Sequence, residues 1–325
     1  MKHISILLLN QVNLGSMENA RLGLLEANEY LKSLGKAPLF DVQLIGMSEV
    51  VQLNGGKFSL KPDQTINQVK HTDLIIVPPV QFDIRSGIAS NQDFIPWIRY
   101  HFCKGTEVVS LCLGAFILGS TGLLDGKKCV THWKAADQFQ KLFPNAIYQG
   151  SELITDDHGV YTGGGAFSSA NLILYLIEKF INRDAAIYCS KIFQIDIGRI
   201  SQSEFIIFVG QKEHGDEPII QIQEFVERNF QEKISVDALS DKFNLVRRTL
   251  ERRFKFATGN TLLEYLQKVR VEAAKRHLEK SKRTINEVMY DVGYSDTKAF
   301  RDVFKKYTGI TPVAYKQKYG LVEAV

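Results

Sequence analysis

The sequence predicts an α/β domain built on a mainly parallel sheet, followed by an all-α domain with two helix-turn-helix units. Three observations predict it. Over residues 4–180, short apolar runs alternate with helix-spaced segments, the pattern of strands and crossover helices. Residues 235–256 and 284–307 then repeat one helix–turn–helix pattern. Charge, finally, is unevenly shared: residues 218–325 hold 21 Lys+Arg against 14 Asp+Glu, whereas 1–217 hold 19 against 22. A basic tail on a neutral-to-acidic domain suits a nucleic-acid module joined to a partner domain.

The chain has 325 residues, which suits two domains, and its 45% hydrophobic content is enough to build cores. Cys103, Cys112, Cys129 and Cys189 show no C-x-x-C and no paired Cys/His spacing. Neither a zinc site nor a disulfide framework is expected, and no cofactor. A reducing cytoplasm fits that usage. The opening ISILLL run is too short for a signal sequence, and LILYLI at 172–177 is too short to cross a bilayer. No membrane attachment is expected.

In chain order, residues 4–9 read as a buried strand. Residues 17–34 read as a helix with Leu22, Leu25, Leu31 and Leu34 on one face. Residues 40–45 are a second strand. Residues 50–60, with Asn54-Gly55-Gly56 at their centre, signal a hairpin. A strand at 74–77, a helix at 92–103 and a strand at 107–110 lead to Cys112. A helix at 114–121, a strand at 128–131 and a helix at 134–141 follow, then strands near 146–149, 152–155 and 159–162. A helix over 166–180 closes the domain, and 184–193 suits another. The polar, aperiodic QKEHGDEP segment reads as a linker. The expected division is therefore 1–210, a linker at 211–218, and 219–325.

In the tail, Ser235 is placed to cap a helix whose apolar face is Val236, Leu239 and Phe243. Asn244-Leu245 fits a turn. The next helix carries Arg247, Arg248, Glu251, Arg252 and Arg253 around a stripe of Leu250, Phe254 and Phe256. In the second copy, Thr284 and Glu287 form a capping box, and Ile285, Val288, Met289 and Val292 build the buried face. Gly293 supplies the turn and Ser295 the next cap. Phe300 and Phe304 then point inward, with Lys298, Arg301, Lys305 and Lys306 outward. Between the copies, 261–280 read as one amphipathic helix, long enough to hold two reading heads about one DNA turn apart.

With LERRFK, GYSD, FKKYTG and TPVAYK in place, the tail resembles the AraC/XylS-type DNA-binding domain over roughly residues 218–320. That resemblance implies two helices presented to successive major-groove segments of double-stranded DNA. By position, Arg248, Glu251 and Arg252 in the first and Thr297 and Lys298 in the second would face base edges. Arg247 and Arg301 flank them, and Lys305 and Lys306 suit phosphates. Asp302 is a departure: many relatives carry Arg there, and a carboxylate repels phosphate.

The remaining informative stretch is VVSLCLGAFILGSTGLLDGKKCVTHW at 108–133. A buried strand ends, Cys112 follows and Gly114 opens a helix, the arrangement of a nucleophile elbow. The helix dipole there is expected to favour thiolate. With Thr131-His132-Trp133 and Thr162-Gly163-Gly164-Gly165, residues 1–185 resemble the flavodoxin-like ThiJ/PfpI domains, which are class I glutamine amidotransferase-like. Joined to the tail, the architecture resembles the GlxA-like regulators. By position Cys112 takes the nucleophile's place, His132 the pocket histidine's and Glu18, near the end of the first strand, the acid's.

Three departures argue against turnover. Leu113 stands where hydrolytic members carry His. Pro78-Pro79 replaces a turn that supplies oxyanion N–H groups. No His–Glu pair follows the cysteine in amidotransferase order. Catalytic residues are thus vestigial at most, and Cys112, His132 and Trp133 are candidates for binding a small-molecule effector. Trp133, Tyr161 and Phe116 suit an aromatic cage for a cation. The resemblance implies an amino-acid or quaternary-amine effector and a homodimer. The alternative is a cysteine-dependent hydrolase or amidase using Cys112; a third reading makes the thiol a small buried hydrophobe.

Overall fold

The computed structural model describes residues 1–81, 83–165, 169–199 and 201–321. The chain divides into two compact units, Met1–Gln202 and Ser203–Val325.

The first unit holds β1 (Lys2–Leu7), β2 (Phe40–Gly46), β3 (Val51–Leu53), β4 (Phe58–Leu60), β5 (Gln64–Thr65), β6 (Leu74–Val77), β7 (Glu107–Leu111), β8 (Lys128–Cys129), β9 (Ile147–Tyr148), β10 (Ile154–Asp157) and β11 (Val160–Gly163). Seven of them form one sheet in the order β10-β11-β7-β6-β1-β2-β5. Every pairing in it is parallel except β10 with β11. Its central strands β6 and β7 carry LIIV and EVVSL, near-continuous apolar runs buried on both faces. Register places Ile4 beside Val42 and Leu74, and Ile75 beside Val108. The Asn54-Gly55-Gly56 hairpin joins β3 to β4 as expected.

Three local readings change. The helix at Leu14–Ser33 begins earlier, because the Asn13 side chain accepts the Ser16 N–H at 3.0 Å. Its buried stripe is Met17, Ala20, Leu24, Ala27 and Leu31, while Leu22 and Leu34 are exposed. The strand expected over 128–131 stops at Cys129. Val130 N–H bonds the Thr162 hydroxyl instead (2.7 Å), and the Thr131 hydroxyl donates to the Cys112 carbonyl (2.9 Å). Of the helix expected over 166–180, Ser169–Phe180 is helical and residues 166–168 lie outside the described residues.

The second unit is helical: Glu217–Arg228, Val236–Lys242, Arg247–Thr258, Leu262–Lys280, Ile285–Asp291, Thr297–Thr308 and Pro312–Tyr319. It contains two cores. Ile222, Leu239, Leu250, Phe254 and Tyr265 belong to one, and Val271, Leu278, Val288, Phe300 and Phe304 to the other. The long helix therefore serves both, with its first half in one core and its second half in the other.

The unit begins at Ser203, ahead of the segment read as a linker. Residues 203–216 join an apolar IIFV run to a polar stretch, hold little regular structure and are yet tied down. The buried Lys275 ammonium donates to the Ile206 carbonyl (2.6 Å) and to Glu272 (2.9 Å), which also accepts the Phe208 N–H (3.1 Å). Asp216 accepts two bonds from the Arg253 guanidinium at 2.6 and 3.0 Å. A buried ion pair needs such extra hydrogen bonds to offset its desolvation.

Candidate nucleic-acid interface and cysteine elbow

The first helix-turn-helix forms as its residues dictate. The Ser235 hydroxyl accepts the Ala238 N–H at 3.2 Å, and Asn244 turns the chain at φ +49°. Leu239, Leu250 and Phe254 are buried, which fixes the roll of the second helix, Arg247–Thr258. Arg248 and Arg252 then face solvent without an ion pair among the described residues. Arg247 is exposed but held by Asp237 (2.9 Å) and by Glu251 (3.3 Å). Arg253 points back to Asp216 and is structural. Phe256, read as part of the inward stripe, is 93% exposed. Two residues along a helix is about 200° of rotation, so Phe254 and Phe256 cannot share a buried face.

The second unit repeats the plan. Thr284 and Glu287 close the expected capping box: the Thr284 N–H donates to Glu287 at 2.6 Å, and the Glu287 N–H to the Thr284 hydroxyl at 3.3 Å. Gly293 turns the chain at φ +82°, where a Cβ would lie 2.5 Å from the Gln231 carbonyl oxygen. The cap of Thr297–Thr308 is Asp296, not Ser295; its carboxylate accepts the Ala299 N–H at 2.6 Å. Phe300 and Phe304 are buried. Thr297, Lys298, Arg301, Lys305 and Lys306 are all exposed, as is Asp302. Lys306 also lies 4.9 Å from the Tyr307 ring centroid. The connecting helix Leu262–Lys280 has 19 residues, about 28 Å at 1.5 Å per residue.

In the first unit, Cys112 sits at φ +53° at the turn from β7 into the helix Gly114–Ser120. Its N–H donates to the Gly163 carbonyl at 2.8 Å. A Cβ on Gly114 would lie 2.2 Å from the Val77 carbonyl oxygen and 2.9 Å from that of Pro78, so only glycine fits. Where an oxyanion hole needs N–H donors, this turn faces the helix with carbonyls. The elbow geometry is thus present, but the expected thiolate is not. Cys112 is 4% exposed, and burial pushes its thiol up to about 11, against the smaller opposing pull of the Leu113 and Gly165 N–H groups. Loss of water outweighs the end of a seven-residue helix.

His132 is half-buried, and burial lowers its pKa, with Lys134 adding to the effect. Its Nδ1 accepts the Lys134 N–H at 3.1 Å and so caps the short turn Trp133–Ala135. The proton of the neutral ring is then on Nε2, the wrong tautomer for an Nε2 base. Among the described residues no hydrogen bond joins Cys112 to His132. Glu18 lies on the helix Leu14–Ser33 and is taken by Arg21, at 2.6 and 2.8 Å. Trp133 is half-buried beside His132, with ring centroids 5.3 Å apart. Phe116 and Tyr161 line no open cage. Both are fully buried, Phe116 against Phe139, and Tyr161 with its hydroxyl on Glu107 at 2.6 Å.

Two regions of the chain match known families. Residues 23–179 match the DJ-1/PfpI family and residues 239–318 a helix-turn-helix domain. The HTH-type transcriptional regulator GbdR of Pseudomonas aeruginosa is 26% identical over 235 residues, covering 72% of this chain and 64% of that protein. The chain therefore spans under two thirds of that relative's length. The HTH-type transcriptional regulator GlxA of Rhizobium meliloti is 23% identical, covering 66% and 67%. Drosophila melanogaster DJ-1beta shares the fold of 60% of the chain over 98% of its own, with a TM-score of 0.50 and 15% identity. The chain thus carries a DJ-1/PfpI-family region followed by a helix-turn-helix domain, and it is similar to relatives named as HTH-type transcriptional regulators.

Proposed function

We propose that the chain is a sequence-specific transcriptional regulator that binds double-stranded DNA through Arg247–Thr258 and Thr297–Thr308. One observation carries the reading: two helices with exposed cations, each seated on its own core, share one long helix. Arg248 and Arg252 suit guanine edges in the first; Lys298 and Arg301 extend the second, and Lys305 and Lys306 suit phosphates. The relatives named as HTH-type transcriptional regulators support it. In this reading the protein works in the cytoplasm as a homodimer, which brings four reading helices to one site.

The DJ-1/PfpI-type domain then senses a small molecule, an amino acid or quaternary amine, near Cys112, His132 and Trp133. Regulation requires that the effector bind two states of the protein with different affinity. The test is selection of duplexes from a random library by the full-length protein. A selected duplex should bind about 10³-fold or more tighter than a scrambled one. Equal affinity for both would overturn the reading. Thermal shift against a panel of amino acids and quaternary amines tests the sensing half, because a ligand of the folded state raises its stability.

A thiol near 11 is about one part in ten thousand thiolate at neutral pH, which does not favour an enzyme at Cys112. With the exposed Cys103 replaced by serine, alkylation of Cys112 should be slow at pH 7 and climb between pH 9 and 11. The folded thiol keeps its proton where the unfolded one, near 9, has lost it. Its contribution to stability is therefore complete below pH 9 and lost as pH rises towards 11. Rapid labelling at pH 7 would restore the hydrolase reading.

A further inference from the structure

On the helix Arg247–Thr258, Leu250, Phe254 and Thr258 form the buried row. Steps of four advance about 40° around a helix, so Arg248, Arg252 and Phe256 form a second row on the opposite side. Phe256 is the most exposed large apolar side chain among the described residues. Its position is matched in the second unit: Phe254-Lys255-Phe256-Ala257-Thr258-Gly259 aligns with Phe304-Lys305-Lys306-Tyr307-Thr308-Gly309. A bare aromatic ring therefore stands where the second unit carries the Lys306 ammonium, in line with two guanidinium groups.

We infer that Phe256 is a specificity-determining residue that packs on the 5-methyl group of a thymine in the major groove. The inference rests on the DNA-reading proposal above. The thymine methyl is the apolar feature of that groove, and phenylalanine is among the side chains that contact it. The ring continues the row of Arg248 and Arg252 one turn further along the same solvent-facing side of the helix. Arg248 and Phe256 are eight residues apart, about 12 Å along the axis. That distance equals the rise of about three to four base pairs. The first unit would then read guanine and thymine together, and the second unit, with Lys306 in that place, would lack the methyl contact.

The test uses the full-length chain and a duplex selected from a random library. Each thymine is replaced in turn by deoxyuridine, which removes only the methyl group. One replacement should weaken binding about fourfold, the worth of one buried methyl. It should lie within about four base pairs of the position at which Arg248→Ala relaxes preference. Phe256→Ala should bind the thymine and uracil duplexes alike, with an unchanged melting temperature because the ring makes no core. Phe256→Leu should keep part of the difference. Indifference of the wild type to every replacement, or a methyl effect that survives Phe256→Ala, would overturn the inference while leaving DNA reading intact. Failure to distinguish selected from scrambled duplexes would instead overturn the DNA reading itself.

Discussion

The two helix-turn-helix units share a scaffold and differ in what they turn outward. Each reading helix buries a Leu or Phe four residues ahead of a second Phe, in the same register: Leu250 and Phe254 in one, Phe300 and Phe304 in the other. Each ends at Thr-Gly with the glycine left-handed, Gly259 and Gly309, and each following helix is capped by a threonine, Thr261 and Thr311. The outward rows are not alike. The first is Arg248–Arg252–Phe256, and the second is Lys298–Asp302–Lys306. Guanidinium pairs bidentately with a base edge, whereas ammonium acts as a point charge. In the proposed DNA complex the difference favours base recognition by the first unit and positioning by the second, with apolar residues and caps keeping both folds the same.

The largest test of that comparison concerns the cores. Phe254→Ala and Phe304→Ala should each destabilise their own unit by about 3–5 kcal/mol. Hydrogen exchange should show Phe304→Ala opening 285–319 while 236–258 stays protected. Joint opening of both units by either variant would break the two-core description. Next in size, Arg248→Ala should cost about 1–3 kcal/mol on the selected duplex and relax preference at one base pair. Lys298→Ala should cost less and act alike on selected and scrambled DNA. The reverse ranking would exchange the roles of the units. Smallest, Asp302→Asn removes a carboxylate from a cationic face and should tighten binding to all sequences by about 0.5–1 kcal/mol. Weaker binding would mean that Asp302 accepts a bond from DNA.

Most of this architecture was legible because it depends on local chemistry. The Thr284–Glu287 box, the Ser235 cap and the Gly293 turn involve partners at most three residues apart, or a φ that glycine adopts freely. The misreadings have equally specific causes. Ser295 and Asp296 are both residue types that cap a helix, and it is the Asp296 carboxylate that accepts the Ala299 N–H. Hydropathy alone groups Phe256 with the inward stripe, but helical rotation separates it from Phe254.

Distance along the chain explains the rest. Residues 203–210 read as the end of the first domain because Glu272 and Lys275, which hold Phe208 and Ile206, lie more than sixty residues later. At Cys112 the strand, turn and helix were readable, as was the glycine at 114. The state of the thiol was not, since it depends on how completely the surrounding chain excludes water. The same holds for His132, whose tautomer is set by the Lys134 N–H, and for Glu18, which Arg21 occupies.

The central claim is that one subunit presents two reading helices to successive segments of one DNA duplex. Hydroxyl-radical footprinting of the full-length chain on a selected duplex tests it most directly. Two protected patches per subunit, separated by about 10–10.5 base pairs, are the predicted result, with Arg248→Ala weakening one and sparing the other. A single patch per subunit, or no protection at all, would contradict the account.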